Sequence, residues 1–191
     1  TTLLVRLRGI TGIGKGELAG LKVRDIDFRA GSLLVARRPN DPKDPRRRKP
    51  NAKTRDRVLP LAQELTALAS EYVINHRRLI AGAKKHDYLL VAENTGAPMS
   101  LAAIDLVFSD LRSKCPKLPE ELHAHLMRHT FNERISEKAD ALGWSDEEER
   151  KVRTELNGWS ERSKMPAGYT RRRVREKARE ASLALQERLR S

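Results

Sequence analysis

Arg128 follows His125 by three residues within His125-Leu126-Met127-Arg128-His129-Thr130-Phe131. On a helix that spacing places both side chains on one face, where both can direct donors at a single phosphate. Tyr169, in the basic run Gly168-Tyr169-Thr170-Arg171-Arg172, follows about forty residues later and supplies a candidate nucleophile. Tyr72 and Tyr88 compete with it, but each falls on an apolar helix face or strand, where packing explains a tyrosine. The chemistry such a set would perform is phosphoryl transfer.

Other chemistries fit less well. His125 and His129 are one helical turn apart, a spacing known from zinc sites, but a cation, Arg128, intervenes and no acidic ligand accompanies them, so no metal is expected. Thr11-Gly12-Ile13-Gly14-Lys15-Gly16 invites comparison with a phosphate loop. A Walker loop requires Ser or Thr directly after Gly-Lys; here Gly16 follows, and a nucleotide cofactor is not expected either. Cys115, the single cysteine, excludes an internal disulfide and has no evident base beside it.

The charge balance names the partner class. The 191 residues hold 39 Lys and Arg against 26 Asp and Glu, a net charge of +13, which favours a polyanion, with double-stranded DNA the leading candidate. No apolar run reaches membrane-spanning length and no signal peptide opens the chain, so no membrane partner is expected, and a soluble intracellular protein is.

Several elements must position these residues. An apolar opening, Leu3 to Ile10, breaks at the glycines, and helical character resumes at Glu17 to Leu21. Ser32 to Arg37 and Arg57 to Leu61 read as paired strands, with Pro39 to Ala52 between them as an extended, mobile tip too polar to pack. Ala62 to Ile80 is expected as one amphipathic helix, Asp87 to Ala92 as a short strand, and Ser100 as the N-cap of a helix carrying Ile104, Phe108 and Leu111. Further helices are expected over His125 to Leu142, Asp146 to Leu156 and Arg171 to Arg190, the last with Val174, Ala178, Ala181 and Leu185 as its apolar side. The sum is a mainly α-helical chain with a small antiparallel β-sheet, of the α+β class, long enough for a single domain over residues 1–191.

Four motifs in order resemble those of the tyrosine recombinase (phage integrase) family. Thr11-Gly12-Ile13-Gly14-Lys15-Gly16-Glu17-Leu18, followed by Leu21 and Asp25-Ile26-Asp27, resembles the first box, although the family's first catalytic arginine corresponds to Gly14. Adjacent helical residues point about 100° apart, so Lys15 is no simple substitute, and Arg6, Arg8 or Lys15 would have to approach from a neighbouring turn. Lys53 in Lys53-Thr54-Arg55-Asp56-Arg57 matches the lysine between the strands, with Lys49 and Arg55 as fallbacks; the segment His125 to Arg128 matches the second box. Leu156-Asn157-Gly158-Trp159-Ser160 resembles the last, with Tyr169 ten residues beyond Trp159.

The resemblance implies the catalytic-domain fold of that family and a site-specific recombinase or integrase of a phage or other mobile element. By it, Tyr169, Arg128, His125, Lys53 and Trp159 are catalytic and Glu17 and His129 supporting, while Lys15, Lys49, Arg55, Arg171 and Arg172 contact DNA. It further implies a 3′-phosphotyrosine intermediate without metal or cofactor, a homotetramer on DNA, and a bacterial cytoplasmic, nucleoid-associated setting. The family's preceding core-binding domain is expected to lie outside this chain. Residues 171–191 are expected to contact a neighbouring protomer or, equally, to cover their own domain. Three alternatives stay open: a type IB topoisomerase, a non-catalytic DNA-binding module, which Gly14 favours, and, more distantly, a metal-dependent phosphodiesterase.

Overall fold

Leu3, Leu4 and Leu7 fall at helical spacing and are all buried, and they define α1, Thr2–Thr11. The computed structural model describes residues 1–188, without the side chains of 171–173, 176, 187 and 188. Helix α1 ends on Gly12, whose positive φ of 64° closes the last turn. A Cβ there would lie 2.1 Å from the Phe131 ring, so the glycine also lets the helix carrying Phe131 approach. The short helix α2, Lys15–Gly20, starts at once, and the Glu17 carboxylate caps it by accepting from the Gly14 N–H.

The sheet is antiparallel in the order β1 (Ile26–Asp27), β2 (Ser32–Val35), β3 (Arg57–Pro60), with Leu33 opposite both Ile26 and Leu59. Period-two alternation turns Leu33, Val35, Arg57 and Leu59 inward and leaves Leu34 and Val58 exposed. Leu65 and Ala69 of α3 (Gln63–Glu71) and Ile104 and Phe108 of α4 (Leu101–Lys114) complete the core with Leu18. Ser100 caps α4 as expected, its hydroxyl accepting from Ala103 N at 3.0 Å.

Four expectations need correction. Ala62 to Ile80 is not one α-helix: α3 widens into a π-turn at Tyr72–His76 and tightens into a 3-10 turn at Arg77–Leu79. Arg77 is buried there and donates to the carbonyls of Tyr88, Ala83 and His86, bonds that a continuing straight helix would have to forgo. Asp87 to Ala92 is not a strand, because its bridges go to two different neighbours, Tyr88 to Lys22 and Val91 to Pro98.

Pro39 to Ala52 is not an unpacked tip. Arg46 is sunk against the Tyr88 ring and donates to the carbonyls of Ala19 and Met99, while buried Lys22 pairs with Asp41 at 2.9 Å. Polar groups that reach partners can be buried at little net cost, and composition alone does not reveal the partners. Lastly, the final helix α7, Met165–Arg188, begins six residues earlier than expected and contains Tyr169.

Helix α5, Ala124–Ala141, and helix α6, Asp146–Asn157, meet through buried polar side chains. Arg153 donates to the Asn132 carbonyl at 2.8 Å and pairs with Glu149, and Asn157 donates to Asn132 Oδ1 at 3.0 Å. Val174, Ala178, Ala181 and Leu185 of α7 are all exposed. Among the described residues no helix is long and apolar enough to cross a membrane.

Candidate active site

The start of α5 supplies three of the expected residues. His123 is its N-cap, its Nδ1 accepting from Leu126 N at 2.9 Å, and this fixes the first turn, from which His125 projects, with Arg128 and His129 on the next turn. Arg128 is buried and held on two sides: Nη1 lies 3.4 Å from Glu17 Oε2, and Nη2 donates to the Asn157 carbonyl at 3.2 Å. Its guanidinium centre lies 5.4 Å from the Trp159 ring.

Glu17 therefore does more than cap α2. Its other oxygen pairs with buried Arg57 at 2.5 Å and accepts from the Thr54 hydroxyl. Burial works to raise the Glu17 pKa, but the hydrogen bond and charge of Arg57, with Thr54 and the Gly14 N–H, outweigh it and hold the group below the ordinary carboxylate value. Arg57 went unrecognised in the sequence as a site residue, although the alternation with Leu59 puts it on the inner face. Gly158, at φ 63°, closes α6 against it, and a Cβ there would lie 2.4 Å from Arg57 Nη1.

A cleft of about 640 Å³ opens above this pair, and Arg128, His125, Lys53, Lys15, Gly14 and Trp159 all line it. Lys53 is exposed on the β2–β3 connection, and Lys15 is engaged with Asp105 at 2.7 Å. Arg8 of α1 lines the cleft as well. Its Nε donates to the Ala124 carbonyl at 2.6 Å and its Nη1 to the carbonyl of Ile13, the residue before Gly14. Nη2 makes no hydrogen bond among the described residues. Burial, then repulsion from Arg128, lowers the Arg8 pKa to about 10.

Tyr169 stands behind Trp159, the two rings stacked at 5.9 Å and inclined by 16°. Its hydroxyl lies 3.1 Å from His129 Nδ1, and His129 Nε2 lies 2.9 Å from His125 Nε2. Burial raises the phenol pKa, against the opposing effects of Arg128 and Arg153. Burial likewise lowers that of His125, reinforced by His129, His123, Arg8 and Arg128.

Two residues expected to contact DNA, Arg55 and Lys49, do not line this cleft. Arg55 Nε donates to the Trp159 carbonyl at 2.9 Å and so buttresses its wall. The side chains of Arg171 and Arg172 lie outside the described residues. Among the described residues no cluster of three His, Cys, Asp or Glu groups is placed to hold a metal ion.

The frame of helices around a three-stranded antiparallel sheet is that of tyrosine recombinase catalytic domains. XerA recombinase matches it with a TM-score of 0.62 at 20% identity, over 88% of this chain and 51% of that one. XerH site-specific recombinase bound to its difH substrate matches with a TM-score of 0.63 at 22% identity, over 92% and 44%.

Residues 1–164 match the model of the phage integrase family, and the chain belongs to that family. A putative integrase/recombinase, y4rF, of Sinorhizobium fredii is 31% identical over 145 residues, which are 72% of this chain and 31% of the relative. Tyrosine recombinase XerD of Halalkalibacterium halodurans is 24% identical over 139 residues, 73% of this chain and 41% of the relative. The chain thus spans well under half the length of these curated relatives.

Proposed function

We propose that the chain is the catalytic part of a site-specific DNA recombinase that cuts and rejoins double-stranded DNA through Tyr169. The observation that carries this reading is the convergence of Arg128, His125 and Lys53 on one cleft, with Tyr169 stacked on its Trp159 wall. A backbone phosphate in the cleft would meet the guanidinium of Arg128 and the His125 ring, both preorganised by α5. Tyr169 Oη attacks phosphorus in line: the Oη–P bond forms, the P–O5′ bond breaks, and the phenol gives up its proton. Lys53 protonates the departing 5′ oxygen, leaving a 3′-phosphotyrosine and a free 5′-hydroxyl. The reverse attack by a 5′-hydroxyl restores the duplex, and no external energy source enters.

Gly14 provides no side chain for the phosphate. In this reading Arg8 supplies the second guanidinium, anchored on the carbonyl of Ile13 and with Nη2 unengaged. Assembly as a homotetramer on DNA and service to a mobile element belong to the same proposal.

Gly14 also favours a second reading, a DNA-binding module without cleavage. A nicked suicide duplex, from which the short fragment bearing the new 5′-hydroxyl diffuses away, separates the two: the wild-type chain is expected to become covalently attached and Tyr169→Phe is not. Binding without attachment by the wild type would establish the second reading.

A further inference from the structure

The contact between Tyr169 and His129 is one link of a longer line. Tyr169 Oη lies 3.1 Å from His129 Nδ1, and the opposite nitrogen of the same ring lies 2.9 Å from His125 Nε2. The imidazole rings stand at 84° with centroids 4.3 Å apart. The His125 end lines the cleft.

Tautomers along such a line depend on one another. If the phenol donates to His129 Nδ1, the His129 proton sits on Nε2 and is donated to His125 Nε2. The His125 proton is then on Nδ1.

We propose that His129 is the general base for Tyr169 and that His125 is the terminal proton acceptor. This rests on the cleavage reading above. As the Oη–P bond forms, the phenolic proton passes to His129 Nδ1, while the proton on His129 Nε2 passes to His125 Nε2. His129 ends neutral in its other tautomer, and His125 ends as an imidazolium. The positive charge therefore arises in the cleft as the phosphate oxygens gain negative charge, so one proton movement both activates the nucleophile and stabilises the transition state.

The surroundings suit each end of the line. The half-buried phenol, with its raised pKa, does not ionise unaided near neutral pH. Partial desolvation at the cleft, then the charges of His129, His123, Arg8 on α1 and Arg128 on α5, lower the His125 pKa and favour its neutral form at rest. Arg153 of α6, 5.0 Å from the Tyr169 ring, favours the phenolate, and Glu133 disfavours it. His129 is accordingly a catalytic residue in this scheme.

The test is the pH dependence of covalent attachment to a nicked suicide duplex, in the wild type and in His129→Asn. The asparagine amide can hold the phenol but cannot take up and pass on a proton. The wild-type rate should rise with pH and level off once His125 is neutral. His129→Asn should lose about 10²–10⁴-fold at neutral pH and recover steadily as rising pH ionises the phenol. A loss of the same size at every pH, or no loss, would overturn the relay in favour of a positioning role.

A second measurement needs neither DNA nor turnover. Nitrogen-15 NMR of the imidazoles should show the His129 proton on Nε2 and the His125 proton on Nδ1, and a His129 proton on Nδ1 would overturn the relay alone. Failure of the wild type to attach to DNA at all would overturn the cleavage reading together with the relay.

Discussion

Glu17 and Arg128, 111 residues apart on different helices, meet at 3.4 Å beneath the cleft, where the carboxylate also holds Arg57. One carboxylate thus sets the positions of two buried guanidinium groups. Removing a single partner from such a set leaves uncompensated charge in a low-dielectric site. Glu17→Gln is expected to lower unfolding free energy by about 3–5 kcal/mol, read by urea denaturation, and to abolish covalent attachment.

The same carboxylate makes stability depend on pH. Its folded pKa lies below its unfolded value, so its contribution is present above the unfolded carboxylate pKa of about 4.3 and is lost as pH falls through the folded value. Thermal unfolding followed from neutral to acidic pH should show a steeper decline below about pH 4.3 in the wild type than in Glu17→Gln.

Arg8 and Gly14 form a natural double-mutant cycle. Arg8→Ala should slow attachment by about 10²–10³-fold. Gly14→Arg should change the wild-type rate little but restore much of the rate in the Arg8→Ala background. The backbone at Gly14 (φ −68°) accepts a side chain, and the new Cβ, 2.9 Å from Glu17 Oε2, requires a small shift of that oxygen while Oε1 keeps Arg57 and Thr54. A large gain from Gly14→Arg alone would show that Arg8 does not fill the role.

The basic segment between β2 and β3 should divide into structural and DNA-contacting residues. Arg46 is bonded to Asp44 and to two carbonyls, whereas Arg47 and Arg48 are exposed. Arg46→Ala should lower the Tm, while Arg47→Ala and Arg48→Ala should leave the Tm in place and weaken DNA binding. Binding overall should fall steeply with salt, with a slope in log K against log salt of about −0.9 per neutralised phosphate. Titrations at several salt concentrations measure that slope.

Helix α7 beyond Tyr169 exposes its apolar side, Val174, Ala178, Ala181 and Leu185. A stop codon at Glu180 should therefore change the unfolding free energy of the monomer by no more than about 0.5 kcal/mol. Assembly on DNA, followed by gel mobility or light scattering, should weaken. Loss of the cooperative unfolding transition would show that the segment stabilises its own domain.

Local spacing made much of this protein legible. The period-two alternation of the strands, the Ser100 cap and the placing of His125 and Arg128 on one helix depend on neighbours in the chain, and a sequence displays those directly. Resemblance added the family and the order of its motifs.

Tertiary structure decided the rest, because the deciding partners are remote in sequence. Arg57 reads as a charged strand end until Glu17 is found beside it, and Arg46 as part of a loose loop until the carbonyls of Ala19 and Met99 receive it. The line from Tyr169 through His129 to His125 exists only because α7 packs beside α5, across forty residues of chain. Spacing records which side chains share a face; which groups neutralise a buried charge or pass a proton is decided by distances that only the folded chain creates.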